Sequence, residues 1–193
     1  MGDVNGFEAR AVTLRDGRRV WLRAGGPDDA AAYRDYLLRA VPSADGVGLF
    51  VDEVLTEPEY REKLAKYLPT RGGMGLFAEP FGADGRPGAS IVGDCGLVGF
   101  GRRKLDGVLM MGMMCDAGWR GVGLGNAMLS AALDWARAEP SVRRVELGVL
   151  ATNPGALALY RSLGFVEEGR LRGRFRQADG SLVDDVLMAL VVG

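Results

Sequence analysis

Histidine is absent from all 193 residues. Its absence excludes a Ser-His-Asp triad, a histidine general base and any histidine metal site. Chemistry in this chain has to come from Tyr, Asp, Glu, Cys, Ser, backbone amides or water. Cysteine is nearly absent too: Cys95 and Cys115 each sit inside an apolar stretch. Two such residues make no disulfide framework and show no metal-ligand spacing, so no metal is expected and both read as buried free thiols in a reducing cytosol. An excess of either charge is also lacking. Lys and Arg number 24, Asp and Glu 25, for a net charge of −1. That gives no global attraction to nucleic acid. No run approaches the about 18 consecutive apolar residues of a membrane span. Residues 1–10 lack the basic start and apolar stretch of a signal peptide. The expectation is a cytoplasmic protein with neither a membrane nor a nucleic-acid partner.

What is present suits a soluble globular chain: 48% apolar and 25% charged residues. A chain of this length can bury roughly 70% of the surface that its unfolded form exposes. We read residues 1–193 as one domain. Residues 12–23 alternate around Asp16-Gly17, as a hairpin does, with Val20 and Leu22 on one side. Pro27-Asp28-Asp29 opens a helix bearing Tyr33, Tyr36, Leu37 and Ala40 at helical spacing. Residues 57–68 form a second helix, with Tyr60, Leu64, Tyr67 and Leu68 on one side. Strands are expected over 75–79 and 89–100, and over 108–115, a continuous apolar run that suits a strand covered on both faces. A strong amphipathic helix follows over 123–138, then a strand over 144–150 and a helix over 153–163 stopped by Gly164. Residues 165–172 and 182–192 read as two last strands around Asp179-Gly180. This order favours a single α/β (α+β) domain around a mixed sheet.

The chemistry is concentrated in residues 109–126, where a strand runs through a glycine-rich turn into a helix. The first amides of a helix lack internal partners, and its dipole favours negative charge there. Glycines let a phosphate sit directly on those amides. The G-x-G-x-x-G dinucleotide pattern fails, because Asn126 or Met128 stands where its third glycine belongs. A P-loop would need a lysine that the turn lacks. What remains is Arg120-x-x-Gly123-x-Gly125.

This segment resembles the acetyl-CoA motif Arg/Gln-x-x-Gly-x-Gly/Ala of the GCN5-related N-acetyltransferases (GNAT). A second segment, Asn153 through Tyr160 to Gly164-Phe165, resembles the next helix of that family, and Leu147-x-Val149 precedes it. The resemblance is close over 108–165, loose over the C-terminal strands, and a matter of layout in the N-terminal third. It implies a central, mostly antiparallel mixed sheet, splayed where the cofactor enters. The cofactor core would lie at about 108–165 and the acceptor-side helices at about 27–68. It also implies acetyl-CoA as co-substrate, with the pyrophosphate on the amides of Gly121, Val122, Gly123, Leu124, Gly125 and Asn126. Arg120 would assist there or stand as a solvated turn residue. Met113, Met114 and Cys115 would pair with the pantetheine arm. Asn153 would contact that arm or cap its helix, and Tyr160 would lie near the thioester sulfur.

The activity implied is acetyl transfer to a primary amine, of a small molecule or a protein N-terminus, by direct attack. Tyr160 would act as general acid to the leaving thiolate, and a backbone N–H of residues 113–115 would face the oxyanion. The alternative is a catalytically weak acyl-CoA-binding sensor. Relatives often place a carboxylate where Gly148 stands, so the base is open among Asp116, Asp94, Glu146 and a water chain. An acidic segment, with Asp45, Asp52, Glu53, Glu57, Glu59 and Glu62, is either a rim that attracts cationic amines or a solvated helix face. Arg170, Arg172, Arg174 and Arg176 alternate, which puts them on one strand face. The family also implies a homodimer, with residues 182–192 as the candidate interface.

Overall fold

The computed structural model describes residues 6–43, 48–67 and 72–192. Leu68 and Asp45, named above, lie outside them. Among the described residues, eight strands form one sheet in the order β1-β2-β3-β4-β5-β6-β8-β7. They are β1 (Arg10–Thr13), β2 (Arg19–Ala24), β3 (Met74–Pro80), β4 (Gly93–Gly99), β5 (Val108–Cys115), β6 (Arg144–Leu150), β7 (Val166–Arg176) and β8 (Leu182–Val191). The helices are α1 (Ala30–Ala40), α2 (Glu57–Leu64), α3 (Leu124–Ala138) and α4 (Pro154–Ser162). Every neighbouring pair is antiparallel except β5 and β6. The mixed, mostly antiparallel α/β domain expected from the sequence is therefore the fold observed.

Strand alternation sorts the core into two layers. Cys95, Leu97, Met111, Leu147 and Val149 pack with α3 and α4. Phe77 and Ile91 pack with α1 and α2, whose buried residues include Tyr33, Tyr36, Leu37, Ala40, Tyr60 and Leu64. Tyr33 stacks on Phe77 with ring centroids 5.3 Å apart. The helix starts follow their sequence signals. Thr56 N and Oγ1 both donate to Glu59 in a capping box, and Asn153 Oδ1 accepts from Ala156 N at 3.0 Å.

The feature that positions the site is the junction of β5 and β6. Only Val108, Leu109 and Met110 pair across it, with Arg144, Val145 and Glu146. Beyond these, β5 stays paired to β4 as far as Cys115, and β6 stays paired to β8 as far as Leu150. The two parallel strands thus separate toward their C-terminal ends, which is the expected splay.

Several expectations need correction. β5 is not covered on both faces: Met110 is 40% exposed and Gly112 is open, because the α1–α2 layer stops short of them. The strand expected over 89–100 is confined to Gly93–Gly99, and β7 runs on to Arg176. The four arginines of β7 do not share a face. Register shifts on either side of Leu171, with Gly173 at φ 58°, break the alternation. Arg170 pairs with Asp184 and Arg174 with Asp185, adjacent residues that project to opposite sides. β8 lies inside the sheet between β6 and β7, so residues 182–192 could meet a partner copy through exposed side chains such as Leu182 and Val191 but not by strand pairing.

Candidate functional site

A cleft of about 930 Å³ fills the splay. Met113, Met114 and Cys115 of β5 form one wall, and Asn153 and Tyr160 of α4 contribute to the other. The turn before α3 supplies Arg120, Gly121 and Gly123, and the first turn of α3 supplies Gly125 and Asn126. Two segments far apart in sequence therefore converge on one cavity. Gly121 has φ 74° and Gly123, the N-cap of α3, has φ 96°. Both values favour glycine, and they bring the chain into the helix with its first amides free to bind an anion. Gly125 serves packing as well: a Cβ there would lie 3.3 Å from Leu159 Cδ2 and 3.5 Å from Met113 Cε.

Not every expected residue faces the cleft with its side chain. Leu124 is fully buried beneath α3, and Val122 is half-buried with its carbonyl accepting from Arg15 N at 3.0 Å. Each can meet a ligand through its backbone only. Arg120 is engaged elsewhere. Its Nε donates to the Cys115 carbonyl at 3.0 Å, and its guanidinium also donates to the Ser43 carbonyl. It holds the turn against the end of α1. Asn153 both caps α4 and lines the cleft.

Tyr160 is 6% exposed and packs against Phe165 with ring centroids 5.9 Å apart. Burial, reinforced by the thiols of Cys95 and Cys115, holds its phenol well above its ordinary range. It therefore keeps its proton. Burial likewise pushes the Cys115 thiol up to about 12, so this residue is a neutral wall and not a nucleophile.

The carboxylates considered as bases fall into different roles. Glu146 is bound to Arg144 Nε at 2.6 Å. Asp116 starts the turn, its N–H donating to the Val92 carbonyl and its carbonyl accepting from Trp119 N. Asp94 lies opposite Met114 in the β4–β5 register, 8% exposed. Tyr33 Oη donates to its Oδ2 at 3.3 Å, whereas Oδ1 has no hydrogen-bond partner among the described residues. Burial raises its carboxyl to about 7. Glu53 and Glu59 accept from the backbone N–H of Phe50 and Thr56, so these members of the acidic segment serve as helix caps.

Three contributors are missing from the sequence reading. Arg15, on the β1–β2 hairpin, lines the cleft, and its Cγ lies 3.4 Å from where a Gly123 Cβ would stand. The same hairpin grips the turn through Arg18, which stacks 4.1 Å over Trp119 and donates to the Gly118 carbonyl. Phe175 of β7 meets Gly48 of the α1–α2 connection across the cleft, with no room for a Cβ at Gly48. All three depend on tertiary approach, so no local pattern marks them.

Comparison with known proteins agrees with this geometry. Residues 50–165 match the acetyltransferase (GNAT) family. The chain is 35% identical over 96 residues to the N-alpha-acetyltransferase RimI of Mycobacterium tuberculosis, a match covering 50% of this chain and 58% of that protein. It thus spans little more than half the length of that relative. Its fold is similar to the acetyltransferase of the GNAT family from Streptococcus pneumoniae, with TM-score 0.80, 26% identity, and coverage of 90% of this chain and 99% of the other. It is also similar in fold to a phosphinothricin acetyltransferase from Sinorhizobium meliloti in complex with acetyl-CoA, with TM-score 0.75, 20% identity, and coverage of 94% and 90%.

Proposed function

The chain belongs to the acetyltransferase (GNAT) family, and on that premise we propose that it moves an acetyl group from acetyl-CoA to a primary amine. The acceptor is a small-molecule amine or a protein N-terminus. The observation that carries this reading is the cleft itself: the free amides of the α3 N-terminus at one end, and the Tyr160 hydroxyl-bearing ring in the wall between the splayed strands. Residues 108–165 serve as the cofactor core and 27–68 as the acceptor side of one functional unit, 1–193.

The pyrophosphate would sit on the amides of Gly121 to Asn126, with Arg15 adding positive charge beside Gly123. The pantetheine arm would run along Met113–Cys115 as an added strand in the splay. A neutral amine then attacks the thioester carbonyl, with a β5 backbone N–H facing the oxyanion. As the C–N bond forms, the C–S bond breaks; the thiolate takes a proton from Tyr160, and the acylated nitrogen returns its surplus proton to the Tyr160 phenolate through water. Burial keeps the phenol protonated, so it holds a proton to donate as the thiolate leaves.

The runner-up is a catalytically weak acyl-CoA-binding sensor, favoured by the lack of a side chain at Gly148. A homodimer through the C-terminal region would pair strands at β7, the free edge, or use exposed β8 side chains such as Leu182 and Val191. Calorimetric titration with acetyl-CoA tests the reading. Saturable binding by the wild type, lost in Gly123→Glu, followed by acetylation of an amine panel, is the expected outcome. A folded wild type that binds no acetyl-CoA overturns both readings. Binding without turnover on any amine leaves the sensor.

A further inference from the structure

Two buried carboxylate oxygens among the described residues have no hydrogen-bond partner, Asp94 Oδ1 and Asp185 Oδ1. Buried polar atoms are almost always satisfied, and the exceptions concentrate where a ligand or proton is handled. Asp94 is closed in by Tyr33 and the α1 layer. Asp185 is placed differently. It is 4% exposed and projects from β8 beside Gly148 of β6, which lines the cleft. A Cβ on Gly148 would stand 2.7 Å from Asp185 Oδ1 and 2.9 Å from Oδ2. The volume that any side chain at 148 would occupy is therefore filled by the Asp185 carboxylate. Its Oδ2 faces Arg174 Nη1 at 3.5 Å, and Oδ1 is left for something else.

We propose that Asp185, delivered from the neighbouring strand into the space opened by Gly148, is the specificity residue that binds the acceptor as an ammonium, which gives up a proton to solvent before the neutral amine attacks. The inference rests on the amine-acetylating reading above. Gly148 is exposed on the sheet face that β5 leaves open at Gly112, and its lack of a side chain leaves the shielded Asp185 carboxylate directly behind it, next to the splay. An ammonium donates three N–H groups, and a buried carboxylate oxygen with no partner is their natural acceptor. The acceptors selected are aliphatic amines, cationic at neutral pH. Arylamines, neutral there, gain nothing from the pair.

The test compares wild type, Asp185→Asn, the strand-swap variant Gly148→Asp/Asp185→Ala, and Arg174→Gln. Each is assayed on butylamine, spermidine, a short peptide with a free α-amino group, and aniline, with acetyl-CoA affinity and thermal melting measured in parallel. Asp185→Asn should lower kcat/KM for the aliphatic amines by about tenfold to a hundredfold, mainly through KM, with acetyl-CoA affinity unchanged. The strand swap should restore most of that loss, because it returns a carboxylate to the same volume from β6. Arg174→Gln should not reproduce it. Binding of butylamine to the CoA-loaded protein, followed by calorimetry, should weaken in step with KM. Unchanged KM and butylamine affinity in Asp185→Asn overturn the assignment while the acetyltransferase reading stands. So does an equal loss in Arg174→Gln, which would make Asp185 only that arginine's partner. A wild type that binds acetyl-CoA but neither binds nor acetylates any of the amines overturns both.

Discussion

The guanidinium of Arg120 donates to the Ser43 carbonyl, joining the cofactor turn to the segment that ends α1. An arginine beside a phosphate cradle invites a role as phosphate ligand. Here its hydrogen bonds go to the carbonyls of Ser43 and Cys115 and to the Ser43 hydroxyl. Arg120→Ala should therefore act first on stability, lowering the melting temperature by about 2–4 °C, as loss of about 1 kcal/mol would. The shift should persist in protein without acetyl-CoA. A change confined to acetyl-CoA affinity would show the side chain to be a ligand instead.

Arg15 carries the opposite expectation. It lies against Gly123 on an exposed hairpin, so Arg15→Ala should leave the fold intact and weaken acetyl-CoA binding about tenfold, as loss of one charge-assisted hydrogen bond does. The effect should shrink at high salt, where exposed charges are screened. Calorimetry at two ionic strengths checks both points.

Gly123 sits at φ 96° in the N-cap of α3. Gly123→Ala should lower stability by about 1–2 kcal/mol, the cost of holding an alanine in the left-handed region. Urea denaturation, with unchanged slope, would register it. Stability equal to wild type would show that the turn adopts another conformation.

Tyr160→Phe removes one hydroxyl from a ring that stays packed against Phe165. The expected result is a fall in kcat of about a hundredfold or more with acetyl-CoA affinity unchanged. Because burial holds the phenol above its ordinary range, wild-type activity should show no loss near pH 10 attributable to this group. Stopped-time assays across pH with both proteins decide the matter.

Asp94 ties stability to pH. The folded protein keeps its carboxyl protonated up to about pH 7, whereas the unfolded chain releases that proton near pH 4. Between these values the folded state binds more protons, so stability falls as pH rises and then levels above 7. Asp94→Asn should abolish that part of the slope. Chemical denaturation at pH 5 and pH 8 should show wild type losing on the order of 2 kcal/mol more than the variant.

Much of the fold is legible because its signals are local. Val108–Cys115 matches its strand end for end, as does Arg144–Leu150. Asn153 and Gly164 bracket α4 as caps should. The glycine turn and Tyr160 were placed in one cleft by two segments whose spacing in sequence is fixed by one helix and one strand. What escaped is set by approach between distant segments. Arg15 reaches Gly123 across a hairpin packed by Arg18 and Trp119, and Asp185 fills the volume of Gly148 from another strand. Gly148 looked like a missing carboxylate because a single strand, read alone, cannot show what its neighbour supplies. The arginines of β7 misled for a related reason: Gly173 at φ 58° inserts a bulge that strict alternation does not foresee.

The β5–β6 ladder spans three residue pairs, against seven between β4 and β5 and seven between β6 and β8. The sheet is thus two stiff covers, β1–β5 and β6–β8, bound along a short spine at Val108–Met110. A widening of the gap would strain those three pairings and leave every other ladder whole. A long, thin molecule could then enter and its spent form leave with no strand unravelled.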